Sequence, residues 1–493
     1  MNRHDPAYAD AGLEKDAVSL RHVLGEGFTS NGPLASAAVA FTATAAFGLG
    51  ALPLTFALAA VVALTWINTP FQFSRRIASA GGLYAFLRES VGPRVGFSGS
   101  VAYFFYYVLI VPANALVAAG LLEFAAGQAG IDLPSWSWLV VVPAMIVPAY
   151  AISYFRLRPS LTYGVITGAV EAVVLVSLSV LLIAHAGHHN TIAVFNPRHA
   201  LNGWGGVAIA MGIAATALGG PDAVVSLGEE ARGGRATIRR ALLITQTSVI
   251  GLYLLFSYAA TVGWGLANMA GFSAAPAPLL TLTHTVAGPV GEAVVTVLVL
   301  NSIIGVNLAV NIAMGRMVLD QARMGAIPRR LAAIHPVHRT PVMALTLTVV
   351  VELAVAYAAG VTWGLINGFI VCIVAATAGA IVSQLIANVG LILYRDRIGA
   401  GAVGAIVIPA AAVGLLGFAV YGNFFPVTYP AVVGPLTVIG SCLIALAWAF
   451  RVRRREVAPA AADSPAAVDS PATAASAMPA DAAALADAAA ELA

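Results

Sequence analysis

The feature that most constrains this chain is a succession of apolar stretches, each long enough for a helix to cross a bilayer, running from about residue 20 to about residue 450. A crossing helix needs about 20 predominantly apolar residues, and in hydrocarbon every backbone amide and carbonyl must find its partner within the protein. Only helices and closed barrels meet that condition, and these runs lack the alternation of barrel strands, which repeats over about ten residues. Composition agrees: 60% of the 493 residues are hydrophobic and 10% are charged, where soluble domains carry about 25% charge. The expected class is an all-α integral membrane protein, with the lipid bilayer as its surroundings.

The apolar runs divide into about twelve spans, near 20 to 48, 51 to 74, 96 to 122, 136 to 155, 160 to 184, 203 to 228, 240 to 266, 290 to 315, 341 to 360, 364 to 393, 402 to 422 and 431 to 450. In this register all but one of the 25 lysines and arginines fall in the termini and the loops after even-numbered spans. The exception is Arg198. Positive charge is retained on the cytoplasmic side, so both termini are expected inside, and a miscounted span would invert every later loop. The net charge of +3 thus reports topology, and no nucleic-acid partner is implied. Arg3, Asp5, Asp10, Glu14, Lys15 and Asp16 precede the first span without a small-residue cleavage site, so the first span is expected to serve as the insertion signal. Cys372 and Cys442 lie in apolar segments, where free cysteine behaves as a small hydrophobe.

Two spans are broken by a Gly-Pro pair, at Asn31-Gly32-Pro33 and at Gly219-Gly220-Pro221-Asp222. Proline removes an amide and clashes with the preceding turn, which frees backbone groups that hydrocarbon cannot satisfy. Paired interruptions of this kind point to a midplane binding site, whereas a kink that only improves packing is the alternative. The first break lies in span one and the second in span six, so the two helices run antiparallel, each followed by four more spans. That is the pattern of a five-plus-five inverted repeat with two spans appended. The expected division is a cytoplasmic tail over 1–19, a first repeat over 20–200, a second over 201–398, spans eleven and twelve over 399–455, and a disordered cytoplasmic tail over 456–493. No G-x-x-x-x-G-K-[ST] phosphate loop is present, which argues against direct coupling to ATP hydrolysis.

The stretch Ser79-Ala80-Gly81-Gly82-Leu83-Tyr84 with Gly92-Pro93 and Gly96-Phe97 resembles the segment between spans two and three of the amino acid, polyamine and organocation (APC) superfamily. Gly219-Gly220-Pro221-Asp222 with Gly228-Glu229-Glu230 and Arg239-Arg240-Ala241 is similar to its sixth span and exit. Arg316 through Asp320, Ala322 through Pro328, and Arg339-Thr340-Pro341 are similar to the exit of its eighth span. The resemblance covers roughly residues 20 to 450 and implies a leucine-transporter-type fold moving amino acids or related amines across the cytoplasmic membrane. The first break departs from the family pattern: Thr29-Ser30-Asn31-Gly32-Pro33 replaces the usual glycine-small-glycine and aromatic.

An amino acid zwitterion needs donors for its carboxylate and acceptors for its ammonium. Half-helix N-termini offer the first, and unwound carbonyls the second. The amides of Ser30, Asn31 and Gly32 are therefore expected to meet the carboxylate and the carbonyls around Ala217, Leu218 and Gly219 the ammonium, with Pro33 and Gly220 as further substrate-site candidates at the breaks. Ionisable groups within spans are expensive and take a functional reading by default. Asp222 is a candidate for substrate binding and proton coupling, or a cap on the second half of span six. Glu171, where many members of the resembling family carry a lysine, is the candidate proton site, with an interhelical hydrogen bond as the alternative. Tyr103 and Tyr107 are candidate substrate contacts beside Tyr106. Asn301, Ser302, Asn307 and Asn311 face either a cavity or neighbouring helices, and Asn367 and Thr377 are outer-gate candidates. Glu352 is expected to be peripheral and Glu292 to cap an outer helix end. His185, His188 and His189 lack carboxylate or cysteine companions, so no metal is expected, and no cofactor. The resulting expectation is a proton-coupled symporter of an amino acid or amine acting by alternating access, with an exchanger or a non-transporting sensor as alternatives. A membrane enzyme is disfavoured because no nucleophile, base and orienting group converge.

Overall fold

The computed structural model describes residues 12–424 and 429–451. Among these residues the chain is helical, and its one isolated β-bridge pairs Val18 with Ala231. In order come α1 (Leu20–Thr29), α2 (Pro33–Gly48), α3 (Leu52–Phe73), α4 (Leu83–Val91), α5 (Pro93–Gln128), α6 (Trp138–Tyr154) and α7 (Leu157–Ala186). They are followed by α8 (Trp204–Ala217), α9 (Gly234–Trp264), α10 (Met269–Ala274), α11 (Pro278–Arg323), α12 (Val342–Ile398), α13 (Ile408–Phe424) and α14 (Val433–Arg451). Eight helical stretches of the described residues are long and apolar enough to cross a membrane. The protein is a multi-pass membrane protein.

Several boundaries follow from local chemistry. Proline opens α2, α5 and α11, at a position where its missing amide would have had no helical partner. The 57 residues of α12 would span about 85 Å if straight, nearly three times the hydrocarbon thickness. Gly364, at φ 76° and ψ 179°, bends it instead, and the expected spans 341–360 and 364–393 are its two arms. Gly288 interrupts α11 in the same way.

Both expected breaks are present. The first separates α1 from α2, with Gly32 at φ 56°, a left-handed conformation that side chains resist. A Cβ there would also collide with Val306. At the second break the structure differs from a simple continuation of span six. Beyond Gly220 the chain winds as a tighter 3-10 stretch, Pro221–Leu227, with Ala223 N bonded to Gly220 O at 2.9 Å. Its three-residue closure brings each amide to a nearer carbonyl than an α-turn would.

Two apolar clusters make up most of the core. One centres on α5, α11 and α12, and includes Ala223. The other gathers α2, α3 and α9 around Phe41, Phe56, Tyr253 and Phe256, with Phe41 stacked on Phe56 at 4.2 Å, and includes Leu218. The second break therefore runs from one cluster into the other. The expected tail over 456–493, residues 1–11 of the N-terminal tail and Arg453 to Arg455 lie outside the described residues.

Candidate functional site

The two breaks bond directly to each other. Ser30 hydroxyl donates to Gly220 O at 2.8 Å, and the Asn31 side-chain amide donates to Ala217 O at 2.9 Å and Gly219 O at 2.7 Å. Tyr253 hydroxyl donates to Asn31 Oδ1, and Gln246 Nε2 donates to Leu218 O at 3.2 Å. The carbonyls expected to meet an ammonium are thus already engaged by neutral side-chain donors. The approach is close enough that a Cβ on Gly220, itself at φ 109°, would lie 3.0 Å from Ser30 O.

The amides expected to meet a carboxylate are engaged as well. Ser30 N bonds to Glu26 O, Asn31 N to Phe28 O, and Gly32 N to Thr29 O, so α1 keeps its last turn as far as the break. The exposed N-terminus of a half-helix begins only after Pro33. There, Leu34 N donates to Glu171 Oε2 at 3.3 Å and Ala35 N to Ser302 Oγ at 3.1 Å, while Ser302 hydroxyl donates to the same Glu171 oxygen at 2.7 Å. A carboxylate at a helix N-terminus satisfies orphan amides and complements the helix dipole. Glu171 is buried, and its Oε1 has no partner among the described residues.

Asp222 takes a different pair of donors. Tyr107 hydroxyl reaches Oδ1 at 2.6 Å and Tyr103 hydroxyl reaches Oδ2 at 3.2 Å, with Tyr107 also 3.2 Å from Gly220 O. Asp222, Leu218, Gly219 and Gly220 line a narrow cleft of about 20 Å³ between α3, α5, α9 and α12. Tyr106 lines it, whereas Tyr103 and Tyr107 stand behind Asp222; Ser30, Asn31, Gly32, Pro33 and Ala217 are not among its walls. Sequence reasoning missed three further wall residues, Trp66, Gln246 and Gln384. Each lies within a membrane-span run, and no motif marks it.

Other polar residues fall into place around this centre. Asn301 Oδ1 accepts from Tyr163 hydroxyl at 2.7 Å, Asn307 donates to Met145 O at 3.0 Å, and Thr377 bonds back to its own helix. Asn367 and the three histidines at 185, 188 and 189 are exposed. Glu292 accepts from His284 at 2.7 Å. Glu352 is a correction: far from peripheral, it is fully buried in α12, and neither carboxyl oxygen has a partner among the described residues. Its register in the helix follows Leu345 by two turns, and Leu345 packs over Gly315, so the inward face of α12 carries it.

One end of the helix bundle is closed by charge. Arg316 Nε lies 2.6 Å from Glu230 Oε2 and Nη2 lies 3.0 Å from Oε1, a two-pronged pair in which both residues are buried. Glu229 accepts from Ala80 N at 2.9 Å and from Arg323 at 3.2 Å. Val18 N bonds to Glu230 O at 3.1 Å and Arg232 N to Val18 O at 2.9 Å, which fastens the chain before α1 to the chain after the second break.

Residues 27–449 match the family model described as amino acid permease. An uncharacterized transporter of Mycobacterium bovis is 28% identical over 340 residues, covering 67% of this chain and 69% of its own length. Uncharacterized transporters of two strains of Mycobacterium tuberculosis match with the same identity and coverage. With two broken helices held together at buried depth and most of its length matched, the chain belongs to the amino acid permease family of the APC superfamily and is a membrane transporter.

Proposed function

We propose that this protein is a secondary active transporter that moves an amino acid or related organic amine across the cytoplasmic membrane by alternating access, coupled to protons. The observation that carries this reading is the contact of the two breaks beside a cleft containing Asp222. Backbone acceptors and a carboxylate gathered there suit an ammonium. The carbonyls now held by Asn31 and Gln246 are neutral-donor contacts that a cation can displace, because hydrogen bonds to charged donors are roughly twice as strong.

The same reading takes the chain as twelve spans, arranged as two inverted repeats over 20–200 and 201–398 with two spans appended over 399–455. The bends at Gly288 and Gly364 support it, since they divide stretches far too long for one crossing. Both termini then face the cytoplasm, and the Arg316 and Glu230 lock becomes the closed inner gate. Glu171 is the proposed proton carrier: it joins α7 to the first break and to α11 through Ser302, so its protonation bears on elements that must part during the cycle. The full satisfaction of its Oε2 favours an exchanger as second reading, with Glu171 as a structural cap.

Purified protein in liposomes tests both. Accumulation of a labelled amino acid driven by an inward proton gradient is the expected result. Counterflow without proton-driven accumulation establishes the exchanger, and binding without either flux establishes a sensor.

A further inference from the structure

Two polar atoms in the cleft have no use in the fold. Trp66, on α3, and Gln384, on α12, both line it, and both side chains are more than nine-tenths buried. Trp66 Nε1, a donor, and Gln384 Oε1, an acceptor, each lack a partner among the described residues and do not bond to one another. Of the other polar side chains of the cleft, Asp222 accepts from Tyr103 and Tyr107, and Gln246 holds Leu218 O. Buried polar atoms are nearly always paired, so orphans in a cleft mark where a ligand bonds.

We infer that Trp66 and Gln384 form the side-chain subsite of this cleft, and that the transported molecule is an amino acid whose side chain both accepts and donates a hydrogen bond, a hydroxyl or a carboxamide. The inference rests on the amino acid reading above. It requires the ammonium to lie toward Asp222 and the broken backbone, and the side chain toward α3 and α12. No lysine or arginine lines the cleft, so an anionic side chain would have no counter-charge and would face the Asp222 carboxylate. An aliphatic side chain would leave both orphans buried and unpaired, whereas a hydroxyl or carboxamide carries both the acceptor and the donor that they call for. The remaining walls nearby, Ala63, Ile67 and Ala380, are apolar and suit the carbon portion of such a side chain.

Isosteric pairs separate polarity from size. Threonine and valine, and asparagine and leucine, are titrated against the purified full chain in detergent, with thermal stabilisation as the readout, which rises with ligand concentration over Kd. The polar member of at least one pair is expected to bind about tenfold or more tightly, the factor that one net hydrogen bond supplies. Trp66→Phe and Gln384→Met keep bulk and remove one polar atom each; each is expected to bring that ratio toward one while the apolar member binds as before, which also shows the variant to be folded. Should one variant fail to fold, the other alone decides. Equal binding within both pairs, or a ratio that survives substitution, overturns the subsite while the amino acid reading stands. Absence of binding by all four, with a charged or aromatic amino acid or an amine binding instead, overturns the subsite alone, and absence of binding by every amino acid and amine overturns the amino acid reading with it.

Discussion

Asn31 holds Gly219: its side-chain amide donates to the Gly219 carbonyl at 2.7 Å and to Ala217 O at 2.9 Å, so one residue of the first break closes the end of the helix leading into the second. Tyr253 fixes the same side chain by donating to Oδ1. The polar side chain of the first break thus serves as a bridge between two strands of irregular backbone that membrane surroundings would otherwise leave unsatisfied.

Replacing Asn31 tests that bridge. Asn31→Ala leaves two half-buried carbonyls without this donor and the buried Tyr253 hydroxyl without its acceptor, and is expected to destabilise by about 1 to 3 kcal/mol. Asn31→Asp keeps an acceptor for Tyr253 but turns an oxygen toward both carbonyls, so it is expected to be less stable still. Melting temperatures of the detergent-solubilised variants check the order, and an aspartate variant as stable as wild type would contradict the assignment.

The Arg316 and Glu230 pair is buried on both sides. Removing one partner strands the other charge, so Arg316→Met and Glu230→Gln are each expected to destabilise by about 3 to 5 kcal/mol. The double variant Arg316→Met with Glu230→Gln strands neither and is expected to recover much of that loss, a coupling read directly from a double-mutant cycle. If the lock is also the inner gate, the double variant exchanges substrate faster in counterflow than its own stability change would suggest.

A loop supplies the pH-dependent case. In the connection between α11 and α12, Nδ1 of His335 accepts from the amides of Val337 and His338, both at 3.2 Å. Burial and the neighbouring His338 lower the His335 pKa from 6.5. A ring that accepts at Nδ1 is needed for these bonds, and a lowered folded pKa means the unfolded chain takes up the proton first. The contribution to stability is therefore present above about pH 6.5 and lost as pH falls through the folded value. Faster hydrogen exchange at Val337 and His338 in mildly acidic solution, beyond the intrinsic change, is the expected signature, and His335→Asn is expected to remove the extra dependence.

Legibility followed the kind of interaction involved. The helical class, the breaks and the family were readable because apolar length, Gly-Pro pairs and ordered motifs are local properties of the chain. Partner choice was not. Nothing local distinguishes an Asn31 that bonds a ligand from one that spans to Ala217, since the two lie 186 positions apart in the chain. Glu352 was misplaced for a similar reason: a single carboxylate in an apolar helix reads as peripheral until the inward face of that helix is known. Trp66 and Gln384 carried no signal because no motif distinguishes either from the other polar residues of its run, and only the packing of α3 beside α12 brings them to one cleft.

Glu171 offers the sharpest test of coupling, because its two readings predict different losses. As a cap, Glu171 needs only an acceptor for Ser302 hydroxyl and Leu34 N, and the carbonyl of Glu171→Gln supplies one in the same place. The cap reading therefore predicts near wild-type stability and counterflow, and leaves whatever proton-driven accumulation the wild type shows unchanged. As a proton carrier, the residue must gain and lose charge within the cycle, which glutamine cannot do. That reading predicts unchanged stability and counterflow with accumulation no longer driven by a proton gradient. Ser302→Ala supplies the control: it removes the donor to Glu171 and the acceptor for Ala35 N, so stability is expected to fall by about 1 kcal/mol or more in either case. Uptake driven by an imposed gradient, measured beside counterflow in the same liposomes, separates the two, and intact accumulation in Glu171→Gln would remove this carboxylate from the coupling mechanism.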